Sequence, residues 1–172
     1  MTHHLRPWHP EDSRELFDAI DDPEIARQLP PFDPEADARA YIAKTAGSDD
    51  VVAYVISDDT EVVLGGVMAQ LNRPMRTAWV SYWLLPEARG LGLASRGTVA
   101  LANWLFSKGI HRLELGLRLN NPDSRKVADR AGFIQEGIMR EELEYDGVRY
   151  DTALMSRLVT DPVPPTEALP GL

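Results

Sequence analysis

The stretch Arg89-Gly90-Leu91-Gly92-Leu93-Ala94 decides the reading of this chain. It stands between a run that reads as a strand, Thr77 to Leu85, and one that reads as a helix, Leu93 to about Lys108. A small-residue turn from strand into helix leaves several backbone N–H groups without partners, and the helix dipole adds partial positive charge at the same place. Such a turn suits a phosphate or pyrophosphate, and its glycines let a ligand approach the backbone closely. The same hexapeptide also fits a plain helix-entry turn with no ligand. Two nucleotide motifs do not fit. A dinucleotide fingerprint would need glycine where Ser95 stands, and it would follow the first strand, not the fourth. A P-loop would need Gly-Lys-Ser/Thr, which does not occur.

Working outward, the segments before the turn read as short helices and then strands. His4 to Trp8 suits a first strand. Pro10 opens a helix with Leu16, Phe17 and Ile20 on one face, and Asp22-Pro23 and Asp33-Pro34 open two more. Asp before Pro supplies an N-cap acceptor and then a residue with no N–H to leave unpaired. Val51 to Ser57 is almost wholly apolar, as in a strand buried on both faces. Glu61 to Leu71 follows, with Gly65-Gly66 marking a bulge or a close approach, and Thr77 to Leu85 completes an antiparallel meander.

Beyond the turn, Gly97, Leu101, Trp104 and Leu105 form one helical stripe that Gly109 ends. Leu113, Leu115, Leu117 and Leu119 alternate with polar or small residues, a strand pattern. A strand–helix–strand unit of this length implies a parallel pair. Pro122 opens a further helix stopped by Gly132. Two last strands turn at Asp146-Gly147 and end near Leu158. The expected architecture is α/β in the mixed α+β sense, a mostly antiparallel sheet with helices on both faces. Residues 1–159 form one domain, and the Pro-rich tail 160–172 is expected to be mobile.

Composition narrows the function. The 172 residues carry 27 acidic and 18 basic side chains, a formal net charge of −9. That balance argues against broad nucleic-acid binding and is compatible with a cationic substrate or a merely soluble acidic surface. No apolar run approaches a membrane span, and Met1 to Arg6 lacks an apolar signal core, so a cytoplasmic protein without membrane association is expected. Cysteine is absent, which excludes disulfides and thiolate chemistry. The four histidines lack ligand spacing, so no metal is expected.

Three stretches, taken in order, resemble one family. They are Tyr82-Trp83-Leu84-Leu85-Pro86-Glu87-Ala88 running into Arg89 to Ala94; Asn121-Pro122-Asp123-Ser124 followed by Ala131-Gly132-Phe133; and Glu136-Gly137-Ile138-Met139-Arg140, closed by Asp146-Gly147 and Asp151. Their order and spacing resemble the GNAT superfamily of acetyl-CoA-dependent N-acetyltransferases, in particular the ribosomal-protein N-terminal branch of RimJ and RimL and its small-molecule relatives. The resemblance covers Leu5 to Leu158.

The resemblance implies a splayed sheet and an acetyl-CoA cosubstrate. It puts the pyrophosphate on the amides of Arg89, Gly90, Leu91, Gly92, Leu93 and Ala94, and the pantetheine arm along backbone groups of Leu84 and Leu85. A backbone N–H there would hold the oxyanion. Asn121, otherwise a helix cap, becomes a CoA partner. Ser124 becomes the donor to the leaving thiolate, since the position where many members carry Tyr is Ala128. Two positions where relatives carry a basic Glu hold Trp79 and Leu143, so Glu142 or Glu144 is the candidate base, each equally readable as a solvated strand residue. The implied reaction is direct attack of a primary amine in a ternary complex. The acceptor is a protein N-terminal α-amine or a small molecule such as a polyamine, amino acid or aminoglycoside. A catalytically silent acyl-CoA-binding module is the rival, and a homodimer is left open.

Overall fold

A computed structural model describes residues 2–172. Seven strands form one sheet in the order β1-β2-β3-β4-β5-β7-β6. They are β1 His3–Pro7, β2 Val51–Asp58, β3 Val63–Asn72, β4 Thr77–Leu84, β5 Arg112–Arg118, β6 Ile134–Tyr145 and β7 Val148–Leu158. Every pairing is antiparallel except β4 with β5. The helices are α1 Ser13–Ala19, α2 Pro23–Ala26, α3 Glu35–Ala46, α4 Leu93–Ser107 and α5 Pro122–Arg130. Among the described residues no helix is long and apolar enough to cross a membrane.

The sheet separates two apolar clusters. Val55 packs with Leu16, Ile25, Phe32 and Ile42, which α1 to α3 and their loops supply. Its neighbour Ile56 packs on the other side with Leu93, Leu101 and Leu105 of α4. Adjacent strand residues point to opposite faces, so an almost continuous apolar run serves both layers. Gly97 sets the spacing of α4. A Cβ there would lie 3.1 Å from Ile56 and 3.2 Å from Val67, so the helix approaches the sheet where a side chain would have to push it away. Gly65 is a close approach of the same kind, 2.3 Å from the Trp83 carbonyl oxygen for an added Cβ, and the register slips nearby between Ile56 and Ser57.

The helix starts divide. Asp22 caps α2, its Oδ1 accepting from the Glu24 and Ile25 amides at 2.9 and 3.2 Å. Asp33 does not cap α3: the N-cap is Pro34, with no side-chain cap bond, and Asp33 instead donates its own N–H to Asp37 at 3.1 Å. The Asp146-Gly147 turn has φ of 53° and 75°, the positive pair that a two-residue hairpin turn requires.

The tail, expected to be mobile, is packed. Leu169 is 3% exposed and donates its N–H to the Arg96 carbonyl at 3.2 Å. The Pro170 carbonyl accepts from Leu5 N–H at 2.8 Å, on the free edge of β1. Thr166 Oγ1 donates to the Arg130 carbonyl at 2.7 Å. Its prolines reduce the chain entropy lost on ordering, and its path covers a sheet edge that would otherwise leave backbone groups unpaired.

The far edge is held by charge. Arg112 on β5 donates to Glu136 on β6 at 2.8 and 2.5 Å, and Ser156 Oγ adds a third bond at 2.6 Å. These bonds, Arg112 first, hold the Glu136 carboxyl down at about 2. A carboxyl depressed in the folded state stabilises above its unfolded value and loses that contribution as pH falls through the folded one. Glu136→Gln should therefore destabilise at pH 7 by up to about 1 kcal/mol, since the pair is partly solvated. The gap to wild type should close between about pH 4.5 and 2. Urea unfolding of both proteins across that range checks it; a gap that is constant with pH would mean the link is not ionic.

Candidate active site

The parallel strands β4 and β5 stay paired only at Thr77–Arg112, Ala78–Leu113 and Trp79–Glu114. Beyond that point β4 remains with β3, and β5 remains with β7 as far as Arg118–Thr152. The two strands part. Trp79 lies across β5 at the point of parting, because Gly116 has no side chain: a Cβ there would sit 3.1 Å from the indole. The opening is a cleft of about 580 Å³, reaching from α2 to the entry of α4 and along α5.

One wall is the Arg89–Ala94 turn. Gly90 and Gly92 have φ of 80° and 74°, and a Cβ on either would meet nothing within 4 Å. Among the described residues, no acceptor within the chain takes the N–H groups of Gly90, Leu91, Gly92, Leu93, Ala94 and Ser95; the run is bounded by Arg89, whose N–H is taken by the Pro86 carbonyl at 3.2 Å and is not free for a ligand, and by Arg96, which bonds the Gly92 carbonyl at 3.1 Å. Consecutive unpaired amides at the start of a 15-residue helix, bordering an open cleft, form an anion cradle. Arg89, Arg118, Lys126 and Arg130 also line the cleft, against Glu24 and Asp123. The cleft therefore carries excess positive charge in a chain whose net charge is −9. These features fit a polyphosphate-bearing ligand such as CoA.

Arg89 has a second task. Its guanidinium donates to Asp22 at 2.7 Å and to the Leu84 carbonyl at 3.1 and 3.2 Å, tying the cap of α2 to the loop. Burial alone would raise the Asp22 carboxyl, but the Arg89 bond and the two capping amides outweigh it and hold it below the usual carboxylate range.

The two leucines separate. Leu85 N–H is bonded to the Leu64 carbonyl on β3 at 2.9 Å, so it is not available to a ligand. Main-chain groups alternate in direction along a strand, which turns those of Leu84 and Tyr82 toward the opening. Leu84 lines the cleft and Leu85 does not.

Asn121 caps α5, its Oδ1 accepting from Ser124 N–H at 3.0 Å, and also lines the cleft. Its NH2 group has no partner among the described residues, so cap and ligand contact are compatible. Ser124 lies in the cleft wall across from β4, where the Tyr82 hydroxyl meets its Oγ at 2.9 Å and its carbonyl oxygen at 3.0 Å. Burial pushes the Tyr82 phenol up to about 12, against the opposing bond from Ser124.

The structure does not bring Glu142 or Glu144 to this cleft. Glu142 lies in the stretch where β6 shifts register, between Met139 and Leu143, and Glu141 in the same stretch has φ of 51°. Glu141 N–H bonds the Asp151 carboxylate at 2.9 Å, which pins this bulge. Glu144 is exposed and paired with Arg149 at 2.6 Å. Glu24 of α2 is an acidic group on the α2 side of the cleft, and it bridges Arg27 and Arg118. Arg118 in turn lies over Tyr145 and Tyr150, at 5.5 and 5.4 Å from the ring centroids. Sequence reasoning missed Tyr82, Glu24, Arg118, Lys126 and Arg130. Only the last two left a signal: cations four apart on a helix that opens beside the candidate cradle.

A half-parted parallel pair, with an amide cradle at the following helix and a capped helix opposite, defines an acetyltransferase-type fold. The acetyltransferase (GNAT) domain model matches residues 3–134, and the chain belongs to that family. "Probable N-acetyltransferase YjcK" of Bacillus subtilis (strain 168) is 27% identical over 109 residues, 63% of this chain and 60% of that protein. The ribosomal-protein-serine acetyltransferase of Escherichia coli (strain K12) is 32% identical over 85 residues, 49% of this chain and 48% of that protein. The chain thus spans about half the length of these curated relatives. The spermidine N-acetyltransferase of Vibrio cholerae, solved with CoA and spermine, superposes with a TM-score of 0.84 at 21% identity, covering 93% of this chain and 97% of that one. RimJ of Mycobacterium smegmatis, solved with CoA-disulfide, gives 0.80 at 22% identity, covering 91% and 82%. The relatives include the RimJ-like branch that the motifs resemble.

Proposed function

We propose that this chain transfers acetyl from acetyl-CoA to a primary amine by direct attack in a ternary complex, and that the acceptor is the α-amine of a protein or peptide N-terminus. The observation that carries the first half is the run of unpaired amides from Gly90 to Ser95 on the cleft wall. These amides hold the diphosphate, and the positive side chains around them add to its attraction. When bound, the cosubstrate supplies an activated acetyl thioester. Leu84 N–H then addresses the acetyl oxygen as charge develops on it. Ser124 offers a hydroxyl to the departing sulfur.

The acceptor half is supported by charge. Glu24 is shared by two arginines and Asp123 pairs with Lys126, so among the described residues lining the cleft no carboxylate is left unpaired for a polycation. An α-amine needs no such counter-charge. Its pKa near 8 leaves about a tenth of it neutral at pH 7, whereas a polyamine stays charged. Water can take the proton that the amine loses, so the positions of Trp79 and Leu143 do not preclude turnover.

An acceptor panel tests this. Acetyl-CoA consumption and product mass would be followed with peptides bearing free N-termini, the same peptides N-blocked with lysine retained, spermidine, free amino acids and an aminoglycoside. Free N-terminal peptides should exceed spermidine in kcat/KM by at least about tenfold, a difference of about 1.4 kcal/mol in transition-state binding. Preference for spermidine or another small amine would establish the small-molecule reading instead. CoA binding with no acetyl transfer to any amine would establish a silent binding module.

A further inference from the structure

We propose that Tyr82 is a positioning residue that turns the Ser124 proton toward the leaving sulfur. The proposal rests on the acetyl-transfer reading, but one of its tests does not. A tyrosine hydroxyl has one proton to give, and so has a serine. Tyr82 Oη stands 2.9 Å from Ser124 Oγ and 3.0 Å from the Ser124 carbonyl oxygen, so two arrangements are available. In one, Tyr82 donates to the carbonyl and the serine proton is spent on Tyr82. In the other, Tyr82 donates to Oγ, and the serine proton must point elsewhere. Ser124 lines the cleft, so elsewhere is toward a ligand. A sulfur gaining negative charge favours the second arrangement, because it accepts the proton that Tyr82 no longer takes. A serine that receives one hydrogen bond is also a better donor of the next.

The fold holds Tyr82 in place for this. It is paired through β4 to Val67 of β3, and its own main chain faces the opening where β5 has departed. Its phenol, pushed up to about 12 by burial, stays protonated throughout any ordinary assay range. Tyr82 therefore donates without itself losing its proton.

The balance of the step is simple. The amine nitrogen forms a bond to the acetyl carbon, the carbon–sulfur bond breaks, and the sulfur leaves with the electron pair. Ser124 donates its hydrogen bond to that sulfur. The proton that finally converts thiolate to thiol is, in net, the one that the acylated amine loses.

Tyr82→Phe keeps the ring and removes only the hydroxyl. Its kcat should fall about tenfold, the worth of one neutral hydrogen bond, while acetyl-CoA affinity stays within about twofold. The same change made in a Ser124→Ala background should cost almost nothing further, since the residue it positions has gone. An equal loss in both backgrounds would overturn the proposal, and so would an unchanged kcat with chemistry rate-limiting. A loss in acetyl-CoA affinity that matches the loss in rate would make Tyr82 a packing residue only.

The second test needs no turnover. Bound CoA would be titrated through the ultraviolet absorbance of its thiolate, in wild type, Tyr82→Phe and Ser124→Ala. Glu24, Arg89, Arg118, Asp123, Lys126 and Arg130, the charged groups lining the cleft, and Asp129, which acts on the Tyr82 phenol, are common to all three. The wild-type thiol should ionise at the lowest pH, with both variants shifted upward. Identical titrations in wild type and Tyr82→Phe would overturn the proposal even in a protein that acetylates nothing, and would leave the acetyl-transfer reading untouched.

Discussion

Gly92→Val is expected to weaken acetyl-CoA binding by more than about 100-fold, or about 2.7 kcal/mol, in a protein that still folds. Gly92 is the N-cap of α4 with φ of 74°, and a Cβ there would meet nothing within 4 Å. The free protein therefore has space for the side chain, and that space is the cradle. The branched side chain would stand among the unpaired amides of Gly90 to Ser95 and keep an anion from reaching them. The backbone conformation carries its own penalty, about 1–2 kcal/mol for a residue with a Cβ in the left-handed region. That amounts to a fall in Tm of roughly 2–8 °C for a chain of this size.

Gly147 separates the two effects. It has φ of 75° and open space around its Cβ position, but it sits in the β6–β7 turn and does not line the cleft. Gly147→Val should lower Tm to a similar degree and leave affinity unaltered. Titration calorimetry with acetyl-CoA and thermal unfolding of both variants decide the matter. Wild-type affinity in a folded Gly92→Val protein would show that the diphosphate is bound elsewhere. Parallel losses of affinity in both variants would point to general destabilisation.

The surroundings of the cradle explain how an acidic chain can hold an acidic ligand. Long-range repulsion from a net charge of −9 is screened beyond roughly 8–10 Å at physiological salt. Within that distance a diphosphate in the cleft would meet Arg89, Lys126 and Arg130 along with the α4 amides. Arg89 also couples this wall to the α2 side of the cleft through Asp22, the cap of α2, whose next turn presents Glu24 and Gln28 to the cleft. One ion pair thus holds together parts that line two sides of the cleft. The tail adds a third fixed point, since Leu169 bonds to the Arg96 carbonyl in the first turns of the same α4.

Much of this was legible from local pattern. The glycine turn, the stripe of α4 and the alternation of Leu113, Leu115 and Leu117 each obey a short-range rule. Asp22-Pro23 and Asp146-Gly147 do so too, and the structure has each element where its rule places it. Asp33-Pro34 obeys the same rule as Asp22-Pro23 and still fails as a cap, because the Asp33 backbone bonds forward to Asp37 instead. Glu142 and Glu144 do not line the cleft, and the β6 bulge beside them contains no glycine to mark it. Glu141 takes φ of 51° as a non-glycine residue, supported by an Asp151 bond that only tertiary structure creates. The tail was misjudged from composition, which registers its prolines and not the β1 edge that receives it. Tyr82 was legible as a strand residue, but its meeting with Ser124 depends on the strands parting at Trp79, and no spacing along the chain encodes that.

Ser124→Ala should lower kcat by about 100-fold, the lower end of what a positioned proton donor supplies, with acetyl-CoA affinity nearly unchanged. The separation of kcat from affinity follows from where the charge is. In the ground state a thioester sulfur is a weak acceptor, and one serine hydroxyl adds little to the binding of so large a ligand. As the carbon–sulfur bond breaks, the sulfur becomes a thiolate, and the bond from Ser124 turns into a charge-assisted one. An interaction stronger in the transition state than before it appears in kcat. The alternative is that Ser124 is only a helix residue, since its N–H already completes the Asn121 cap at 3.0 Å. Alanine keeps that N–H, so the cap survives the substitution and α5 should keep its start. Stability and CoA affinity therefore serve as internal controls. Steady-state rates, single-turnover rates and calorimetric affinity would be measured on the one variant. A full single-turnover rate would leave Ser124 as a cap-supporting residue and place the proton donor elsewhere. A parallel fall in rate and affinity would mean that it holds the cosubstrate uniformly, with no special part in the departure of sulfur.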